Sequence, residues 1–234
     1  MSEYRYFVVN KPYGVLPQFS DQDGRKTLKS LGKFPSDVYP VGRLDLDSEG
    51  LLIITNDKML NHKLLNPKFE HNKTYLVQVE GDITDEAIKK LEKGTEISVN
   101  KTKYKTLPAR CKKVEKPENL EERDPPVRFR KNIPTSFIEL TIHEGKNRQV
   151  RKMTASVGFP CLRLIRLAVE DLRIVNLPRG GVIELDKEFM LEKLKLKKDA
   201  GSAPRTNQAR HRKPSGGSKR PGYGRPKPKP KGRR

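Results

Sequence analysis

Cysteine is scarce in this chain, and so are the other residues that hold metals. Cys111 and Cys161 lie 50 positions apart with no CxxC pair, and the four histidines are scattered without ligand spacing. A disulfide scaffold and a zinc site are both excluded; the thiols read as the reduced cysteines of a cytoplasmic protein, with no metal and no cofactor. Long apolar runs are missing too. None approaches the ~20 residues that span a bilayer, and the N-terminus enters a strand-like run without the apolar stretch of a signal peptide. Hydrophobic residues make up only 33% of the chain, too few for folding from end to end. Acidic residues are outnumbered, 29 against 50 Lys and Arg, for a net charge of +21.

That charge is unevenly placed. Residues 197–234 hold fourteen Lys and Arg against Asp199 alone, a charge of +13, which leaves +8 on the 196 residues before them. A basic body with a more basic tail calls for a polyanion as partner. An anionic membrane is the weakest choice, because the tail lacks the Leu, Phe and Trp of an interfacial helix. From about residue 195 the chain is Gly, Pro, Ser, Lys and Arg with no core-forming pattern, so a folded domain over 1–194 and a disordered tail over 195–234 are expected.

Within the body, residues 4–10 read as a strand stopped by the Pro/Gly turn Lys11-Pro12-Tyr13-Gly14. Residues 51–55 form a continuous apolar run, the mark of a strand covered on both faces. Asn56 is then the candidate cap of a short helix through Leu65. Residues 73–80 alternate, with Tyr75, Val77 and Val79 on one face, and residues 137–143 alternate again. Between them Thr84 caps a helix carrying Ala87, Ile88 and Leu91, which Gly94 ends. After residue 147 the period lengthens to about 3.6, with Val150, Met153 and Val157 on one face. Strands are expected at 161–169 and 182–185, and residues 115–132, rich in charge and proline, form an exposed loop. Strands and helices mix without a βαβ rhythm, which favours an α+β fold with a mixed, mostly antiparallel central sheet flanked by helices.

Two segments are dense in reactive side chains. In Gly42-Arg43-Leu44-Asp45-Leu46-Asp47-Ser48-Glu49-Gly50, three carboxylates and an Arg stand before the apolar run. A calcium loop fails, since position 12 would be Asn56 and the flanks are strand-like. A two-carboxylate glycosidase site and plain solvated loop charges both remain open on these residues alone. The second segment, His143 to Met153, opens a helix with four cations. Cations are unfavourable at a helix N-terminus unless an anion lies close.

These segments carry a resemblance. Gly42-Arg43-Leu44-Asp45, followed by Asp47, Ser48, Gly50, Leu51 and Leu52, resembles the signature of pseudouridine synthases acting on ribosomal RNA, and Glu144 to Met153 is similar to that family's late motif. Lys11-Pro12-x-Gly14 resembles its first motif and Lys73-Thr74-Tyr75 its tyrosine motif. Four motifs in order make the match specific. The branch with the small-subunit synthase and its large-subunit relatives fits best, the late motif being worded as in the E-type, large-subunit members. Many of that branch begin with an S4-type RNA-binding domain, for which no room is expected before the first strand.

The resemblance implies a pseudouridine synthase fold with an active-site cleft across the sheet, and it assigns roles. Asp45 is implied as the catalytic carboxylate, Arg151 as its cationic partner with Val150 beside it, and Tyr75 as the ring packed on the target base. Arg43 is the candidate to steady the space left by a flipped nucleotide, and Lys11, Lys146, Arg148 and Lys152 are the candidates to hold phosphates. The implied partner is ribosomal RNA (23S) or a large-subunit precursor particle, met by a monomer. A non-catalytic RNA-binding assembly protein is the alternative, and the presence of Asp45, Tyr75 and Arg151 together speaks against it.

With one aromatic, Tyr223, the tail offers phosphate contact rather than stacking. Removing it from about residue 195 is expected to weaken RNA binding and flatten its salt dependence. Single-turnover rates at saturating enzyme should be unchanged.

Overall fold

The computed structural model describes residues 3–128 and 130–196, and the tail expectation lies outside them. The strands run β1 Tyr6–Lys11, β2 Tyr39–Pro40, β3 Glu49–Thr55, β4 Lys73–Glu80, β5 Glu96–Val99, β6 Thr102–Lys105, β7 Arg110–Val114, β8 Thr135–Ile142, β9 Cys161–Val169, β10 Leu172–Arg173 and β11 Val182–Leu185. The helices are α1 Lys58–Leu65, α2 Asp85–Glu92, α3 Gln149–Ser156 and α4 Lys187–Lys193. A nine-stranded sheet has the order β11-β1-β3-β9-β4-β8-β7, with β2 on β3 and β10 on β9, while β5 and β6 pair separately. Its pairings are antiparallel apart from β3 with β9, so the sheet is mixed as the sequence indicated.

The alternation of each strand divides the core. Tyr6, Val8, Leu51 and Ile53 face one cluster, Phe7, Val9, Leu52 and Ile54 another. Tyr75, Val77 and Val79 point with Ile138, Leu140 and Ile142 into a third. All four helices bring their buried residues to the same side: α2 and α3 to the cluster of Tyr75, α1 and α4 to the cluster of Tyr6. The sheet is therefore flanked by helices on one face only. The opposite face is covered by loop residues such as Val15, Leu28 and Val38, and by Leu120 of the 115–132 loop. That loop is laced down where Arg123 stacks 4.2 Å over Tyr13 and Arg163 donates to Glu121 O at 2.8 Å.

Two boundaries differ from expectation. Asp57, not Asn56, caps α1, accepting from Met59 N at 2.9 Å and Leu60 N at 3.1 Å. Tyr6 Oη holds the same carboxylate at 2.8 Å. Asn56 instead accepts from Arg5 N and donates to Glu3 O and Asp37 at the start of β1. At the other end, Leu194 and Leu196 are buried with the α4 cluster. A cut at 195 would remove the buried Leu196, so the truncation belongs beyond that residue.

The β3–β9 contact hangs on one glycine. Gly50 has φ +102°, and a Cβ there would lie 2.3 Å from Arg166 O and 2.7 Å from Arg166 N. Gly50→Ala is expected to cost about 3 kcal/mol or more through backbone clash and strain, read as a lowered urea midpoint.

Candidate functional site: a basic cleft between two helix-covered clusters

On the helix-bearing face a cleft of about 630 Å³ opens where the clusters of Tyr6 and Tyr75 meet. That volume suits a nucleotide-sized group. Residues 41–48, between β2 and β3, form one wall. Leu44 is buried in the cluster behind the sheet, which turns Asp45 outward. A tight turn follows, Ser48 N donating to Asp45 O at 3.0 Å, and Gly14 N donates to Leu46 O at 2.9 Å. The Pro/Gly turn thus grips the carboxylate loop by its backbone.

The segment before α3 forms the facing wall. Glu144 anchors it, accepting from Tyr104 Oη at 2.6 Å, Leu107 N at 2.9 Å and Gln149 Nε2 at 2.5 Å. The first of these bonds pushes the Tyr104 phenol up to about 12. Lys146 sits 4.9 Å over the Tyr104 ring. Arg148, in a left-handed backbone conformation, then reaches across. Its guanidinium grips Asp47 with both ends, at 2.9 and 2.7 Å, and lies 3.5 Å from Asp45.

Asp45, Tyr75, Arg43, Lys146, Arg148 and Val150 all border the cleft. This gathering of three of the four motifs around one cavity, with the first bonded to the carboxylate loop by its backbone, agrees with the comparisons. The profile described as RNA pseudouridylate synthase matches residues 5–156. The chain belongs to the RNA pseudouridylate synthase family. It is 48% identical over 176 residues to the ribosomal large subunit pseudouridine synthase E of Vibrio parahaemolyticus, covering 75% of this chain and 71% of that one. With the E-type enzyme of Xanthomonas axonopodis pv. citri it shares 48% over 169 residues, covering 71% and 86%. With the B-type enzyme of Bacillus subtilis it shares 38% over 181 residues, covering 77% and 67%. A solved pseudouridylate synthase superposes with a TM-score of 0.65 at 27% identity, over 83% of this chain and 75% of the other.

Three assignments change on this geometry. Arg151 was expected against Asp45, yet its Nε lies 3.4 Å from Asp47 Oδ2 and its Nη2 donates to Asp47 O at 2.6 Å. The turn at Asp45–Ser48 carries Asp47 toward α3, so Asp47 takes both arginines. Burial by itself would raise the Asp47 pKa, but the Arg148 hydrogen bonds and the Arg151 charge outweigh it and hold the carboxyl low. Arg148, expected on a phosphate, is the cation nearest Asp45 instead. Lys11, also expected on a phosphate, is 0% exposed and donates to Pro12 O at 2.9 Å and Val15 O at 2.7 Å. No phosphate reaches a fully enclosed ammonium. Lys152 lies off the cleft lining, its Nζ 3.4 Å from Asn147 Oδ1. Arg43 borders the cleft exposed, with no partner among the described residues.

The structure also gives places to residues that carried no assigned role in the sequence. Glu49, taken for a loop charge, is buried and paired at both oxygens with Arg163, each bond 2.8 Å. Arg166, Lys73 and His71 border the cleft. His71 Nδ1 meets Glu170 at 3.2 Å, and its buried Nε2 has no partner among the described residues. The signal available was parity: Arg166 alternates with Leu164 inside an apolar strand, where a charge has no reason to sit unless something needs it.

Burial pulls the Lys11 pKa down to about 8, although Glu49, Asp47 and Asp45 act to raise it. Between that value and the ordinary Lys range, the unfolded chain binds the extra proton, so this group makes stability rise with pH from 8 upward. Lys11→Met has no such group. Between pH 7 and 10.5 the stability difference is expected to move by up to about 3 kcal/mol in favour of the wild type, as read from urea titrations at several pH values.

Proposed function

We propose that this synthase isomerises a uridine in large-subunit (23S) ribosomal RNA to pseudouridine, with Asp45 as the reacting carboxylate. The observation that carries the reading is the position of Asp45. It is 37% exposed at the mouth of a cleft that also presents Tyr75, and its near neighbour is a cation already committed to a second carboxylate. Relatives 46–48% identical are named as E-type synthases of the large subunit, which supports the choice of RNA.

The reaction breaks the C1′–N1 bond, turns the uracil and joins C1′ to C5. No electrons are gained or lost overall. Asp45 either attacks C1′ or takes the C2′ proton; in both routes the pair of the broken bond passes to the base. Reaching Asp45 requires the nucleotide to leave its stack. Tyr75 supplies a face for the extruded base, and Val150 packs beside it. Arg43 and Lys146 at the rim hold the RNA backbone, a contact that gives affinity more than sequence choice. Arg148 is the direct partner of Asp45, and Arg151 acts through Asp47 by keeping Arg148 and the carboxylate loop in place. In this proposal the body works as a monomer in the cytoplasm, and the basic tail serves as an electrostatic tether.

Asp45→Asn nearly preserves shape but removes both the nucleophile and the base. Isomerisation of transcribed 23S RNA is expected to be abolished, while RNA affinity and melting temperature stay near the wild type. A substantial residual rate would take the role away from Asp45.

A further inference from the structure

Of the two buried arginines on β9, Arg166 is the one left without a counter-charge among the described residues. Arg163, three residues earlier on β9, is matched at both ends by Glu49, and Arg148 and Arg151 share Asp47. Arg166 is only 6% exposed, yet it makes a single hydrogen bond, from Nε to Leu51 O at 2.7 Å. Among the described residues no hydrogen bond reaches Nη1 or Nη2 and no carboxylate lies within ion-pair distance; neither atom is fully buried, so both are open toward the cleft that Arg166 lines. A guanidinium taken out of water without a counter-charge is costly to keep. Its place in the sheet is also telling. Arg166 stands opposite Gly50 on one side and opposite Tyr75 on the other, so it shares a face with Tyr75 on the cleft floor. Lys73, which borders the same floor, is pulled down to about 8 by burial and then by the Arg166 charge. This corner holds positive charge in excess.

We propose that Arg166 is a further catalytic residue, donating from Nη1 and Nη2 to a carbonyl oxygen of the target uracil and stabilising the negative charge that the base carries once the C1′–N1 bond breaks. This rests on the uridine-isomerising reading above. Both routes open to Asp45 require such a charge. If Asp45 attacks, an O–C1′ bond forms and the C1′–N1 pair leaves with the uracil; C5 then attacks C1′ and displaces the carboxylate. If Asp45 takes the C2′ proton, a C1′–C2′ double bond forms as the same pair leaves; C5 then joins C1′ while C2′ takes its proton back from Asp45. In each case the uracil departs as an anion with its charge spread over N1 and the carbonyl oxygens. Later it loses the C5 proton and gains one at N1. A phosphate is the poorer match, because the sugar-phosphate chain stays at the rim, near exposed Arg43 and Lys146, while an extruded base goes deepest. Held by Leu51 O, the guanidinium is already oriented before charge develops, the arrangement that makes electrostatic stabilisation effective.

The test uses the full chain and transcribed 23S RNA, with Arg166→Met, which removes charge and donors, and Arg166→Gln, which keeps a donor toward Leu51 O. Both are expected to retain melting temperature and to bind RNA within about threefold of wild type. Single-turnover isomerisation is expected to fall about 10²–10³-fold, the usual cost of losing such a donor. With 5-fluorouridine transcripts, whose fluorine stabilises the departing anion, loss of the nucleoside should show a gap between wild type and variant at least tenfold smaller. An unchanged saturated rate with weaker binding and a flatter salt dependence would make Arg166 a phosphate contact and overturn the proposal. So would an equal gap on both RNAs together with a lowered melting temperature, which would mark a structural role. If the wild type forms no pseudouridine, the function reading itself fails and the proposal falls with it, an outcome that the wild-type arm alone identifies.

Discussion

The close parallel approach of β3 to β9 at Gly50 sets the width of the cleft. With no side chain between the strands, the backbone of β9 comes against β3 just after the carboxylate loop, and Arg166 reaches over to Leu51 O. Through the same register Tyr75 on β4 stands one strand away. One backbone contact therefore fixes where the two walls of the cleft sit. The antiparallel pairings on either side extend the sheet outward and supply the two helix-covered clusters between which the cleft opens.

Charge is arranged in layers around that contact. Glu49 and Arg163 neutralise each other inside, where breaking such a pair costs about 3–5 kcal/mol. Above them Asp47 ties Arg148 and Arg151 together, and Asp45 is left at the opening with only a 3.5 Å approach from Arg148. The carboxylate nearest the cavity is thus the least encumbered of the three. Arg43 and Lys146 stand exposed at the rim without a carboxylate partner among the described residues, Lys146 over the Tyr104 ring.

The strands were largely legible because burial on a pleated sheet leaves a period of two. Residues 161–169 and 182–185 were placed at their observed limits, and the face shared by Tyr75, Val77 and Val79 was correct. The β5–β6 hairpin and α4 were not, since short strands exposed on alternate residues and a seven-residue helix carry little pattern. Within the site, the motifs named the right loops, but which arginine meets which carboxylate depends on a turn between Asp45 and Ser48 that no periodicity encodes. Lys11 was misjudged for a related reason: a lysine beside a Pro/Gly turn looks exposed, and only the fold shows two carbonyls closing over it.

That enclosure separates two properties usually found together in an amine. A lysine with a pKa near 8 is in good part unprotonated at mildly alkaline pH, the state in which amines attack acylating reagents. Lys11 is nevertheless shut away from any reagent that the folded chain meets. Mutational scanning by activity would rank it with the reacting groups, because the loop that carries Asp45 hangs from the same turn. Amine labelling would rank it among the inert residues of the core. A disagreement between the two maps would mark a side chain that braces the turn from inside, through its bonds to Pro12 O and Val15 O.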